Sequence, residues 1–196
     1  HFDDIKPTHT TTEIVSGSGV GSWTEDTSVG ATKNWKGITS SADGTKLAAV
    51  HYGGNIWTSN DSGATWTEVT VGDGTNNWNG ITSSADGTKL AAAGSNTNIW
   101  TSSDSGVSWT EDTSVGATKS WQGITSSSVD GTKLAVGAFG GNIWTSSDSG
   151  ATWTEVTVGD GTNNWYDITT SSDGTKLAAV ARGLNIWTSS NSGATW

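Results

Sequence analysis

The chain has 196 residues and a formal net charge of −10, and its nine basic residues are scattered lysines plus one arginine, Arg182. It therefore lacks the clustered positive surface that a nucleic-acid backbone or an anionic membrane demands. With no cysteine it has no disulfide, thiolate nucleophile or zinc–thiolate site, and no apolar run approaches the roughly 18 residues of a membrane helix. Gly, Ser, Thr and Asn dominate, as in proteins of many short strands and tight turns. Thirteen tryptophans argue against disorder, because disordered chains are poor in aromatics.

The chain begins at His1 rather than Met and carries no signal peptide, so a processed form or a piece of something longer is expected. Residues 1–23 form an N-terminal segment with a short strand-like stretch, Glu13–Gly17, and a ring-closing or edge strand is expected near its end. From there the sequence repeats itself. Trp23, Trp66, Trp109, Trp153 and Trp196 lie 43, 43, 44 and 43 residues apart. Trp35, Trp78, Trp121 and Trp165 make a second register, and Trp57, Trp100, Trp144 and Trp187 a third. Such self-similarity marks a repeat array. Its units are 24–66, 67–109, 110–153 and 154–196, and the array is expected to continue past Trp196 or to share a ring with a second chain.

The second unit shows the pattern. Trp78–Ser84 reads as strand A, followed by an Asp-Gly hairpin turn whose glycine takes φ > 0. Lys89–Ser95 reads as strand B, Asn98–Ser103 as strand C and Ser108–Ser114 as strand D. In the third unit "SSSVDG" replaces "SSADG", so its extra residue falls in the A–B turn. No helical period occurs anywhere. Four antiparallel strands in about 43 residues match one blade of a β-propeller, so the expected fold is an all-β propeller of about four blades. Units one and three share "TEDTSVGATK", and units two and four share "TEVTVGDGTNNW", which points to a duplicated pair. A strand D at Trp23–Ser28 is placed to complete the last blade. An unclosed array leaves a Trp-rich face at each end, and such a face must be covered.

Between strands C and D stands an octapeptide: "SNDSGATW", "SSDSGVSW", "SSDSGATW" and "SSNSGATW". This S-x-D-x-G-x-[ST]-W pattern resembles the Asp-box, or BNR repeat, of sialidase- and sortilin-like propellers. The resemblance covers residues 24–196 and implies a turn on the blade periphery, away from any catalytic centre. Asp61, Asp104 and Asp148 are expected to cap the turn by accepting backbone N–H groups. Asn191 takes that place in the fourth copy. Gly63, Gly106, Gly150 and Gly193 supply φ > 0, and Trp66, Trp109, Trp153 and Trp196 anchor the turn from beneath. "SGSGVGSW" at 16–23 is an eroded fifth copy. Asn60 heads an Asn-Asp-Ser glycosylation sequon inside one of these turns.

The repeats also show where they disagree. The A–B and octapeptide turns share one face, and there the copies barely differ. On the opposite face the residue after each strand-A tryptophan is Lys36, Asn79, Gln122 and Tyr166 in turn. The expected B–C loops carry His51 and Tyr52 in the first unit, Phe139 in the third and Arg182 in the fourth. Function in repeat scaffolds sits on such variable loops. These eight residues are the candidate ligand contacts, with carbohydrate or protein as the partner.

Catalysis fits poorly. The resemblance to sialidases implies an arginine triad, a tyrosine nucleophile and an aspartic acid, and one arginine makes no triad. Another glycosidase needs two carboxylates about 5–10 Å apart across a cleft, yet most acids here recur in every unit. Asp167, in the place of Gly37, Gly80 and Gly123, breaks the pattern but has no evident partner. His1, His9 and His51 make no metal set. "GDGTNN" at 72–77 and 159–164 has oxygen ligands at loop spacing but no series of acids, and reads as a polar loop. No cofactor or metal is expected. The expected role is a non-catalytic binding protein, secreted or at the cell surface. The alternatives are a structural protein that assembles through its open propeller edges and a fragment of a larger glycosidase.

Overall fold

The computed structural model describes residues 24–196. They form fifteen β-strands, all paired antiparallel, with no helix among the described residues. Counting with each unit the D strand that follows its octapeptide, so that each runs a few residues past its sequence period, the first unit holds β1 (Trp35–Ser40), β2 (Leu47–Gly54), β3 (Ile56–Ser59) and β4 (Thr67–Val69). The second holds β5 (Asn76–Ser83), β6 (Leu90–Thr97), β7 (Ile99–Ser102) and β8 (Thr110–Asp112). The third holds β9 (Lys119–Ser126), β10 (Leu134–Gly141), β11 (Ile143–Ser146) and β12 (Thr154–Val156). The fourth holds β13 (Asn163–Thr170), β14 (Leu177–Ala181) and β15 (Trp187–Ser189). The expected N-terminal closing strand and the eroded octapeptide copy fall on or across residues outside those described. Thr24–Asp26, which continue the expected first D strand, pair with no strand among the described residues.

Local chemistry makes the hairpins. In the A–B turn of the first unit the Asp43 carboxylate accepts from Ser41 Oγ at 2.6 Å and from the Thr45 N–H at 3.0 Å. Gly44 then takes φ 72°. The same pair of bonds recurs at Asp86 and Asp173. In the third unit Ser127 reaches one residue further, to Asp130 at 2.8 Å, and the turn absorbs its extra residue without disturbing the strands.

Packing joins the units into a row. Ala48, Val50, Ile56 and Val71 of the first unit form one core with Trp78, Ile81, Leu90 and Ala92 of the second. The second and third units, and the third and fourth, repeat that arrangement around Trp121 and Trp165. The second tryptophan register thus fills the seams, where Trp78 and Trp121 are 0% exposed and Trp165 1%. Truncating such a side chain costs about 3–5 kcal/mol.

The expected B–C loops are strand. β2, β6 and β10 each run to eight residues, because their ends pair with the next unit's strand A: Tyr52 with Asn77, Ser95 with Ser120, Phe139 with Asn164. In the fourth unit no next strand is present among the described residues, β14 stops at Ala181, and Arg182–Gly183 form a turn. Strand D is shorter than expected, three residues in each of β4, β8 and β12. No hydrogen-bonded pairing joins the first unit to the fourth among the described residues.

Candidate functional site

The variable position after each strand-A tryptophan is a β-bulge. In the first unit Trp35 pairs with His51 and Gly37 with Val50, leaving Lys36 as the extra residue. Asn79 and Tyr166 occupy the same place in β5 and β13. In β9 the irregularity spans Gln122 and Gly123 opposite Gly137. A bulge bends the strand and re-aims its side chain, and bulges concentrate beside binding sites. The sequence marks this device only indirectly, through the glycines at 37, 80 and 123 that follow it.

The bulge side chains meet the ends of the B strands. Lys36 Nζ lies 5.8 Å from the centre of the Tyr52 ring, a cation–π pair. Asn79 Nδ2 donates to Ser95 Oγ at 2.9 Å and to the Trp121 carbonyl at 2.6 Å, tying its bulge to the next unit. Tyr166 meets Phe139 edge to face, with ring centres 6.3 Å apart. Tyr52, Phe139 and Tyr166 remain 46%, 41% and 53% exposed. Five of the eight expected contacts are therefore grouped in these clusters, and Ser95 joins them although the sequence did not single it out.

The other three stand apart. Gln122 is half-buried and Arg182 exposed, and no hydrogen bond joins either side chain to the rest among the described residues. His51 points away from Tyr52, as alternation along a strand requires. Its ring lies edge-on to Trp35 at 5.5 Å and covers Gly54, where an added Cβ would collide with it.

The octapeptide turns sit elsewhere. In the second unit Ser102 Oγ donates to Asp104 at 2.8 Å and accepts the Gly106 N–H at 2.9 Å. Asp104 also takes the Ser108 N–H at 2.9 Å and the Ser108 hydroxyl at 2.5 Å. Those bonds hold the Asp104 carboxyl at about 2, the Ser108 hydroxyl being the largest cause. The same bonds lower Asp61 and Asp148. Asn191 accepts the Thr195 N–H at 2.9 Å and donates to the Thr195 hydroxyl at 2.9 Å, so the amide preserves the turn without a charge. Trp109, Trp153 and Trp196 donate Nε1 to Gly106, Gly150 and Gly193. Trp66 packs at the first unit's outer face, and Asn60 is exposed. Two residues, not one, take φ > 0 in each turn: the glycine and the serine before it, as at Ser105 (62°) and Gly106 (84°). The invariance of that serine across the four copies was the available signal.

Several of the acids hold structure. Glu68, Glu111 and Glu155 accept from Asn55, Asn98 and Asn142 between strands C and D. Asp167 accepts the Ile168 N–H at 2.9 Å and packs over Gly123 of the neighbouring unit. In the GDGTNN turns Asn76 and Asn163 donate inward to the Val71 and Val158 carbonyls. Among the described residues no three His, Asp or Glu side chains gather to hold a metal, and no helix is long and apolar enough to cross a membrane.

No family model and no curated protein matches the chain. Solved structures do. A GH74 enzyme from Niastella koreensis is 23% identical, with a TM-score of 0.63 over 83% of this chain and 24% of its own. YCF48 bound to D1 peptide is 18% identical, with a TM-score of 0.57 over 80% of this chain and 54% of its own. The β-propeller domain of Myceliophteria thermophila Cps50 is 13% identical, with a TM-score of 0.60 over 82% of this chain and 56% of its own. The chain spans about a quarter of the first neighbour and just over half of the other two. An all-β array of antiparallel units, three of them four-stranded, that superposes on such neighbours has the β-propeller fold.

Proposed function

We propose that the chain is a non-catalytic binding module, built of Asp-box propeller blades, whose bulge face engages an extended segment of a partner protein. One observation carries this reading: the position at which the blades disagree is a bulge, and around it Lys36, Tyr52, Phe139 and Tyr166 leave aromatic and cationic side chains exposed. Tyrosine and phenylalanine supply large contact area at small entropic cost, as binding surfaces require. YCF48, a structural neighbour, is bound to a peptide, which supports the same use of this fold here. Because the chain is acidic overall, Lys36 and Arg182 stand out as local anchors for a carboxylate or a carbonyl of the partner.

Carbohydrate is the second reading, favoured by the exposed Tyr52 ring and the Phe139–Tyr166 pair, since sugar faces stack on such rings. A random-peptide display library and a glycan array, both probed with the purified chain and with Tyr166→Ala and Phe139→Ala, separate the two. Peptide hits lost in the variants support the first reading and glycan hits lost in them the second. Binding to neither, or binding indifferent to both substitutions, overturns both. We further propose that the protein acts outside the cell, where Asn60 is open to glycosylation. It is expected to turn over no nitrophenyl glycoside or sialoside, because its carboxylates hold turns and strand pairs.

A further inference from the structure

The two ends of the array are complementary halves of the seam that the interior repeats three times. We propose that they mate head to tail, so that the last blade of one chain packs on the first blade of a second copy.

Compare equivalent residues. In the seams Ile81, Ile124 and Ile168 are 5–8% exposed, but Ile38, their counterpart in the first blade, is 68% exposed. Ile56, Ile99 and Ile143 are 0% exposed, but Ile186, their counterpart in the last blade, is 71% exposed. Lys46, Lys89 and Lys133 each reach the next octapeptide turn, at Ser105, Ser149 and Ser192. Lys176 is exposed and has no such partner among the described residues, while Ser62, the matching acceptor, is exposed in the first blade. An apolar depression of about 450 Å³, lined by Val29, Trp35, Ile38, Ala49 and Trp66, marks the first face. Val115, the counterpart of Val29, is buried in the second seam beside Trp121.

The backbone is unfinished at the same two places. β1 has six residues where β5, β9 and β13 have eight, and β14 has five where β2, β6 and β10 have eight. β15 has no partner on its outer edge among the described residues. Thr24–Asp26 carry the same Thr-Glu-Asp as β8 and lie exposed without a partner strand among the described residues. By the register of Trp100 with Glu111, Trp187 of one copy pairs with Glu25 of the other. Asn185 then donates to Glu25 as Asn98 does to Glu111. Each unmet group at one end thus has its counterpart at the other. The chain spans 56% of the Cps50 β-propeller domain, so two copies joined at both ends supply about the length of one such ring.

Complementation tests this on the 196-residue chain. Light scattering across about 1–100 μM is expected to give twice the chain mass, with Trp fluorescence shifting to the blue on association as Trp35 leaves water. Ile38→Asp spoils one face and Ile186→Asp the other. Both side chains are exposed, so each variant keeps the far-ultraviolet circular dichroism of the parent, but each alone is expected to be monomeric. Mixed, they retain one good pair of faces and are expected to form an open dimer at least tenfold more tightly than either variant alone associates. A wild-type chain that stays monomeric overturns the proposal, whatever covers its ends. So does a mixture of folded variants that fails to associate.

Discussion

Lys89 Nζ donates to Ser149 Oγ at 3.1 Å, joining the A–B turn of the second blade to the octapeptide turn of the third. The octapeptide therefore belongs to two structures at once. Within its own blade it closes strands C and D, and across the seam it receives the preceding blade. Its glycine shows the same double duty. A Cβ on Gly106 would lie 2.7 Å from Thr58 Cγ2 of the blade before, and Gly150 and Gly193 face Thr101 and Thr145 alike. The repeated motif is a joint between blades, which explains its constancy without any catalytic role.

Gly106→Ala is expected to destabilise the protein by about 2–4 kcal/mol, combining strain at positive φ with a clash against the neighbouring blade. Gly63→Ala meets no preceding blade and is expected to cost about 1–2 kcal/mol, the backbone part alone. Guanidinium unfolding of the two variants, at concentrations where the chain is monomeric, checks the difference. Equal costs would show that the seam contact contributes nothing.

Ser102 is buried, and its hydroxyl accepts the Gly106 N–H while donating to Asp104. Ser102→Ala leaves that N–H without a partner and is expected to cost about 1–3 kcal/mol. Asp104→Asn is expected to be tolerated, because Asn191 already fills the same geometry in the fourth copy. Thermal melts rank the two variants, and a larger loss in Asp104→Asn would contradict this account of the turn.

Trp121 and Trp78 are equally buried, but Trp121 Nε1 donates to the Thr97 carbonyl at 3.0 Å whereas Trp78 Nε1 has no partner. Replacement by phenylalanine removes similar volume in both. Trp121→Phe is therefore expected to cost more than Trp78→Phe, by about 0.5–1.5 kcal/mol. Chemical denaturation of the pair measures it.

Acid is expected to loosen the turns together. Asp43, Asp86, Asp104 and Asp130 are all held at about 2, below the ordinary 3.8, by neighbouring hydroxyls and backbone N–H groups. A carboxyl lowered in the folded state binds its proton first in the unfolded chain, so its stabilisation is present above the unfolded value and is lost as pH falls through the folded one. Unfolding midpoints should be flat from about pH 8 to 5 and fall from about 4 to 2. The causes are mainly hydrogen bonds rather than ion pairs, so 1 M salt should leave most of the fall in place. A flat profile down to pH 2 would refute it.

Much of this was legible from residues close together in the chain. Asp-Gly with flanking Ser and Thr specifies the A–B turn, and Ser-x-Asp-x-Gly specifies the octapeptide, because the Asp and Ser side-chain bonds that cap each turn span at most six residues. The tryptophan registers and the turn signals between them located the strands. The bulge at Lys36, Asn79 and Tyr166 was not legible, since it is a mismatch between two strands and neither strand alone contains it. The same holds for the ends of the B strands, which look like loops until the next blade supplies their partners.

The sequence by itself determined the period, the antiparallel blade and the chemistry of its turns, since those depend on near neighbours. Only the tertiary structure decided which copies of the same words are buried. Ile38 in "GITSSADGTKLAA" and Ile81 in the same thirteen letters differ from 68% to 7% exposed. The difference lies in whether another blade stands in front, a fact of neighbours about 43 residues away that no local pattern encodes.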